Sequence, residues 1–151
     1  MPQGMTLLAG SGAAAEALGP VPDDLDVLLV ELDVADPAET EPWLVEAPSR
    51  LLDEVRRRVA AGAGSMPARL AVAVVAHESS DPFASAIGRA AIEALRGAVH
   101  SIVPELGDRA QVNVVVAPPD QLAALRDTLA FLAAPGASFL DSATLDLRGA
   151  A

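Results

Sequence analysis

Two apolar runs joined by a long helical pattern constrain the fold more than any other feature of this sequence. Residues 70–76 and 111–117 are rich in valine and alanine and contain no charged side chain. Between them lie a polar loop, residues 77–82, and an Ala-rich segment that begins near Phe83 and has helical periodicity. This arrangement is typical of a βαβ crossover between parallel strands that are buried on both faces.

Three further strands are predicted at residues 5–9, 25–31 and 143–147. Helices are predicted over residues 13–18 and 36–61, and after Pro118-Pro119 with Asp120 as the N-cap. Pro48 is expected to kink or divide the helix over residues 36–61 near Ala47. The pattern predicts one domain, residues 1–151, folded as a three-layer α/β sandwich with a mostly parallel sheet of about five strands. We expect the first strand at an edge of that sheet.

Composition excludes several classes of function. The chain of 151 residues has no Cys, so disulfides, thiolate catalysis and the commonest zinc sites are excluded. Its net charge of −11 opposes binding to nucleic acid or to an anionic membrane through a basic surface. The first residues lack the basic start of a signal peptide and no apolar run approaches a membrane span, so we expect a cytoplasmic protein.

A glycine pair after the first predicted strand has two interpretations. Gly10-Ser11-Gly12 precedes a helical segment, an arrangement that can bring a helix N-terminus close to a pyrophosphate. However, a third glycine is missing, and Gly19-Pro20 ends the helix after residue 18. A loop that only caps the helix is the favoured interpretation, and phosphate binding is the alternative.

The loop after the strand predicted at residues 70–76 contains the residue types of two other kinds of site. His77, Asp81 and either Ser79 or Ser80 could form a nucleophile arrangement, but such triads depend on geometry that adjacency in sequence rarely supplies. His77, Glu78 and Asp81 could bind a metal, although their spacing matches no established zinc motif. Both remain weak hypotheses.

A resemblance to a known family follows from three segments in order: residues 89–95, residues 104–107 and residues 112–118, the last reading Val-Asn-Val-Val-Val-Ala-Pro. Together they resemble the second half of a short-chain dehydrogenase/reductase, over about residues 25–149. The resemblance implies a Rossmann-like sheet without the N-terminal cofactor-binding units. It also places Arg89 where the family has a catalytic Lys, Ser85 where it has a catalytic Tyr, and Ser79 and Ser80 near its catalytic Ser.

The two residue types that catalyse the reaction of the resembled family are absent from this chain. The chain has no Tyr, and all its basic residues other than His are Arg, so it has no Lys. The family's mechanism resembles general acid catalysis by a Tyr whose pKa a neighbouring Lys lowers. Arg is effectively never deprotonated and a Ser hydroxyl is a much weaker acid than a phenol. We therefore expect a subunit without catalytic residues, cofactor or metal.

The two long helices are the predicted interaction surface. Small and apolar residues recur at helical spacing on the second long helix, and the resemblance implies a four-helix interface built from this helix and the preceding one. The predicted interface residues are Trp43, Leu51, Val55, Ile87, Ala91, Ala94, Ala98 and Ile102. They predict pairing with a second copy or with an active reductase, in a structural or regulatory role.

Two alternatives to that function remain open from the sequence. One is an enzyme or small-ligand-binding protein that uses the crevice at the carboxyl ends of the strands. The polar groups available to it are Glu31, Asp33, His77, Ser79, Ser80, Ser85 and Arg89. The other is a free-standing acidic regulatory module.

Overall fold

The computed structural model describes residues 4–33, 37–62 and 67–149, with the side chains of residues 37–44 left out of the description. Five strands and four α-helices alternate along this part of the chain. The strands are β1 (Met5–Ala9), β2 (Asp26–Leu32), β3 (Ala68–Ala76), β4 (Ala110–Ala117) and β5 (Thr144–Asp146). The helices are α1 (Ala13–Leu18), α2 (Pro37–Ala61), α3 (Pro82–Leu106) and α4 (Leu122–Ala133).

The strands form one fully parallel sheet in the order β1-β2-β3-β4-β5. Val30 of β2 pairs with Val74 of β3, and Val72 of β3 pairs with Val114 of β4, so the apolar runs are aligned across the centre of the sheet. β1 occupies one edge and β5 the other. The predicted three-layer α/β sandwich with a parallel sheet and an edge position for the first strand is confirmed.

The two faces of the sheet are covered by different helices. One core cluster joins α2 and α3 to one set of strand residues, among them Leu28, Val72 and Val114. The other joins α1 and α4 to the alternating set, among them Leu29 and Ala73. Successive strand side chains point to opposite faces, so each strand contributes to both clusters, which explains why its apolar run is unbroken.

The helix positions determine the handedness of the connections. The strand order runs in one direction from β1 to β5, and all strands are parallel. A connection on one face of such a sheet has the opposite hand to a connection on the other face. The two connections through α1 and α4 therefore have the opposite hand to the two through α2 and α3. Because about 98% of connections between parallel strands are right-handed, one of these two pairs has the uncommon left hand.

Two details of the helices differ from the prediction. α2 runs unbroken from Pro37 to Ala61, so Pro48 does not divide it; Pro48 removes one backbone N–H donor, while Ala47, Leu51 and Val55 on the neighbouring face remain buried against the sheet. The helix after β4 begins later than predicted. A short 3-10 helix spans Pro119–Gln121, and Gln121 rather than Asp120 precedes α4.

Within residues 4–33, 37–62 and 67–149, no helix is both long and apolar enough to span a membrane.

Candidate functional site

The carboxyl ends of the parallel strands lie together at one end of the sheet, and two concave regions open there. A cleft of about 700 Å³ is lined by the loop after β1, the end of β2 and the start of the segment after β4. A second cavity of about 270 Å³ lies between the loop after β3, α3 and the segment after β5. His77 lines both. This end is where ligands bind in open parallel α/β sheets.

The glycine loop of the larger cleft is held by a side chain of the neighbouring strand. The Glu31 carboxylate accepts hydrogen bonds from the backbone N–H of Ser11 at 3.0 Å, of Gly12 at 3.1 Å and of Ala14 at 2.8 Å. It also accepts one from the Ser11 hydroxyl at 3.0 Å. A negative charge thus sits at the N-terminus of α1 and satisfies the backbone donors there.

The Glu31 side chain also packs closely against the glycines of the loop. Gly10 has a φ of 112° and Gly12 a φ of 86°, both in the left-handed region that favours glycine. A Cβ on Gly10 would lie 2.3 Å from the Cβ of Glu31, so only glycine permits this approach.

The glycine loop does not fit the pyrophosphate of a nicotinamide cofactor. The N–H groups that would donate to a phosphate already donate to Glu31. A phosphate brought to this loop would meet a carboxylate of the same sign. Between the two interpretations of Gly10-Ser11-Gly12, the geometry favours the capping loop, and Glu31 is the cap that sequence analysis did not identify.

The residues that the resemblance in the sequence was expected to place at catalytic positions lie mainly around the smaller cavity. Ser79, Ser85 and Arg89 line it, and Ser85 and Arg89 are one helical turn apart on α3. Ser80 is not among the lining residues. α3 therefore contributes a serine and an arginine to the lining of this cavity.

Arg148 completes this cavity, although sequence analysis gave it no role. It follows β5 and donates to Asp146 through Nε at 2.9 Å and Nη2 at 2.6 Å. The hydrogen bonds from the Arg148 side chain lower the pKa of Asp146, partial burial opposes this, and the Arg148 backbone N–H contributes to the lowering. Because Arg148 reaches the cavity only through the pairing of β5 with β4, no local sequence pattern could have revealed it.

The two weak hypotheses for the loop after β3 receive no support. The Asp81 carboxylate accepts from the N–H groups of Phe83 at 3.3 Å and Ala84 at 3.2 Å, and so caps α3 instead of orienting His77. The Ser79 hydroxyl accepts from the Asp81 N–H. Across the described part of the chain, His, Asp and Glu side chains form no group of three that could hold a metal ion.

The predicted interface residues divide into buried and accessible ones. Five of them pack in the chain's own core against the sheet: Leu51, Val55, Ala91, Ala98 and Ile102. Ile87 and Ala94 remain partly accessible on α3. The side chain of Trp43 lies outside the described residues. The stripe singled out in the sequence is thus mainly the core face of α3, and the surface open to a partner lies beside it.

A second stripe on α3 faces outward. Its members repeat at alternating intervals of four and three residues and carry no charge: Phe83, Ile87, Ala90, Ala94, Gly97, Ser101 and Pro104. Ile87 and Ala94 are partly buried and the others are exposed, with Phe83 67% exposed. We call this set the outer stripe. Its spacing is that of a helix–helix seam.

α2 extends this apolar surface. Arg56 of α2 donates to Glu105 of α3 through Nε and Nη2, both at 3.0 Å, so this side of α2 faces α3. Leu52, Pro48 and Val45 continue the same side of α2 at intervals of three or four residues, and Val45 is 79% exposed. The Arg56–Glu105 ion pair lies at one end of a surface whose other members, the outer stripe and these three residues of α2, are uncharged.

A scan against protein-family models finds none that matches the chain, and a search of curated proteins finds no match.

Proposed function

We propose that this chain is a non-catalytic subunit, similar to a short-chain dehydrogenase/reductase, that pairs through α2 and α3 with a second copy or with an active reductase. In that role it contributes structure or regulation to an oxidoreductase complex and carries out no turnover itself.

The observation that carries this proposal is the outer stripe and its continuation on α2. Five of the seven uncharged residues of this stripe are exposed and two are partly exposed, on a chain whose acidic residues greatly outnumber its basic ones. Exposed contiguous apolar surface of this kind commonly marks a protein–protein contact. The small residues Ala90, Ala94 and Gly97 would let the backbone of another helix approach closely.

The partner surface that fits best is another pair of long helices. Alternation of four- and three-residue intervals gives a stripe nearly parallel to the helix axis, which suits a partner helix crossing at a shallow angle. Two such helix pairs would form a four-helix arrangement, as the family resemblance also implies. The Arg56–Glu105 pair lies at the end of the surface, so its charges need not be desolvated by the contact.

The absence of turnover rests on residue types and on the glycine loop. The general acid and its activating Lys have no counterpart, because the chain contains neither Tyr nor Lys. Glu31 holds the loop that would have to receive a pyrophosphate. Both features support a role in assembly over a role in hydride transfer.

A charge placed in the outer stripe tests the pairing surface. We expect Ala90→Glu to weaken association at least tenfold, because the contact would bury an unpaired carboxylate. The matched control is Ala123→Glu on α4, an equally exposed alanine on the opposite face of the sheet. Sedimentation velocity of the wild type and both variants over a concentration series gives the association constants. Equal association of Ala90→Glu and wild type would contradict the proposed surface.

A further inference from the structure

The smaller cavity at the end of β3 contains a guanidinium without a partner in the described part of the chain. Most arginines here are paired: Arg56, Arg57, Arg58, Arg96 and Arg148 with carboxylates, and Arg69, Arg109 and Arg126 with backbone carbonyls. Arg50 and Arg89 have no such partner among the described residues. Arg89 lines the cavity, whereas Arg50 lines neither concave region.

We propose that this cavity binds a small molecule with one carboxylate, held between Arg89 and Arg148. The site differs from the pairing surface, because Arg89 lies on the flank of α3 next to β5 and not on the outer stripe. The inference therefore does not depend on the proposed function.

Donor groups converge on the cavity from three elements. Arg89 and Ser85 come from α3, Ser79 from the loop after β3, and Arg148 from the segment after β5. The Ser79 oxygen accepts the Asp81 N–H at 3.1 Å, which leaves the hydroxyl proton free to donate. Arg148 uses Nε and Nη2 for Asp146, which leaves its Nη1 group for a ligand. A planar guanidinium suits the two oxygens of a carboxylate.

The charges near the cavity favour a monoanion over a dianion. Glu78 is the acidic residue among those that line it, and Asp146 offsets the charge of Arg148. Arg89 and Arg148 are thus matched in number by Glu78 and Asp146, and Arg89 is the cation among them without a carboxylate partner in the described residues. A phosphate dianion would carry more charge than this set can balance.

Size and neighbourhood define the ligand further. A volume of about 270 Å³ is slightly below the usual range for drug-sized ligands, so an acid of a few carbon atoms fits. The larger cleft next to it presents Glu31 and Asp33, which repel a second carboxylate. The acid group therefore belongs in the smaller cavity, and His77, which lines both regions, marks the side on which the cleft lies.

Titration of the ¹⁵N-labelled full chain with sodium butyrate at pH 7 and constant ionic strength tests this site. We expect saturable shifts of the Arg89 and Arg148 Nε–H resonances and of the Ser85 amide. The neutral analogue butyramide should produce no saturable shift. Arg89→Ala should weaken butyrate binding about tenfold, the size expected for loss of a charged hydrogen-bond partner. Arg50→Ala, which removes an exposed arginine that lines neither concave region, should leave the affinity unchanged.

Three results would overturn the proposal. They are the absence of a saturable shift with butyrate in the wild type, equal weakening by Arg89→Ala and Arg50→Ala, and tighter binding of inorganic phosphate than of butyrate at the same resonances. Association measured on the same samples reports the pairing proposal separately, so failure of one does not imply failure of the other.

Discussion

Glu31 determines what the glycine loop can bind. Its carboxylate lies where an external anion would have to sit at the N-terminus of α1, and four donors already converge on it. The loop contains glycines like those of an anion-binding turn, but its N–H groups already donate hydrogen bonds to the Glu31 carboxylate. A change at this one residue therefore affects both the stability and the chemistry of the loop.

We expect Glu31→Ala to lower the free energy of unfolding by about 1–3 kcal/mol, since the partly buried N–H groups of Gly12 and Ala14 lose their acceptor. Urea denaturation of the wild type and the variant measures the difference. Glu46→Ala is the control, because Glu46 is exposed and has no partner among the described residues; its effect should stay within about 0.5 kcal/mol. Equal stability of Glu31→Ala and wild type would show that the cap contributes little.

The sequence predicted that residues 10–12 form a capping loop but not which residue caps it. Glu31 is distant in sequence and reaches the loop only because β1 and β2 pair in parallel with Ala9 opposite Val30. A register between two strands is a property of the assembled sheet, so a local pattern does not contain it.

Asn113 is the buried polar side chain within the described core, 5% exposed on β4. Its amide nitrogen donates to the Leu140 carbonyl at 3.1 Å and its oxygen accepts from the Ala143 N–H at 3.0 Å. One side chain thus satisfies two backbone groups of the turn before β5 and positions the segment that contains Arg148.

Asn113→Leu keeps the approximate shape but leaves both backbone groups without a partner. We expect a loss of about 1–3 kcal/mol in unfolding free energy and faster hydrogen exchange of the Ala143 amide. The Leu147 amide, which donates to the Val116 carbonyl at 2.7 Å, serves as the internal reference. Unchanged protection of Ala143 would contradict this role for Asn113.

At the scale of elements, a network of ion pairs and hydrogen bonds joins the C-terminal end of α2 to the amino ends of strands β1 and β2. Arg58 donates to Glu54 at 2.9 Å and to Asp26 of β2 at 2.8 Å, and also to Thr6 of β1. The hydrogen bond from Arg57 lowers the pKa of Glu54, burial opposes this, and Arg58 adds to the lowering. Arg57 and Arg58 are therefore both paired within the chain, and Arg58 connects the helix to the sheet.

The lowered pKa gives this network a defined pH dependence. Glu54 stabilises the folded state at pH values above its ordinary pKa of 4.5, and that contribution is lost as the pH falls through the lower folded pKa. We expect Glu54→Gln to cost up to about 1 kcal/mol at pH 7, and the difference from wild type to vanish in acid. Denaturation from pH 7 to pH 3 measures it, with Glu46→Gln as control. A difference that stays constant over this range would contradict the assignment.

The helices and strands themselves were largely predictable, but the outward face of α3 was not. Small residues occur all around this helix, so helical periodicity alone does not separate the core stripe of Ala91, Ala98 and Ile102 from the outer stripe. Packing on the sheet decides between them. Pro48 shows the same effect, because burial of Ala47, Leu51 and Val55 keeps α2 continuous through a residue that disfavours a helix interior.

For the whole molecule, the sequence predicted the layers and the parallel sheet but not the distribution of helices over its faces. The unbroken apolar strands indicate burial on both sides without saying which helix covers which side. The Ala71 and Ala73 side chains of β3 leave room on the face of α1 and α4, while Leu70, Val72 and Val74 fill the face of α2 and α3. The longer helices thus cover the bulkier face and present their outer sides to solvent.

For the whole molecule we propose that the α2–α3 surface is an assembly surface and that the carboxyl ends of the strands do not carry out reductase chemistry. The most direct measurement is the native mass of the purified chain, alone and after co-expression with a full-length active reductase. We predict a mass of two chains, or a stable mixed assembly in which only the partner chain binds nicotinamide nucleotide. A monomer under both conditions, and above all a monomer that binds nicotinamide nucleotide itself, would contradict the account.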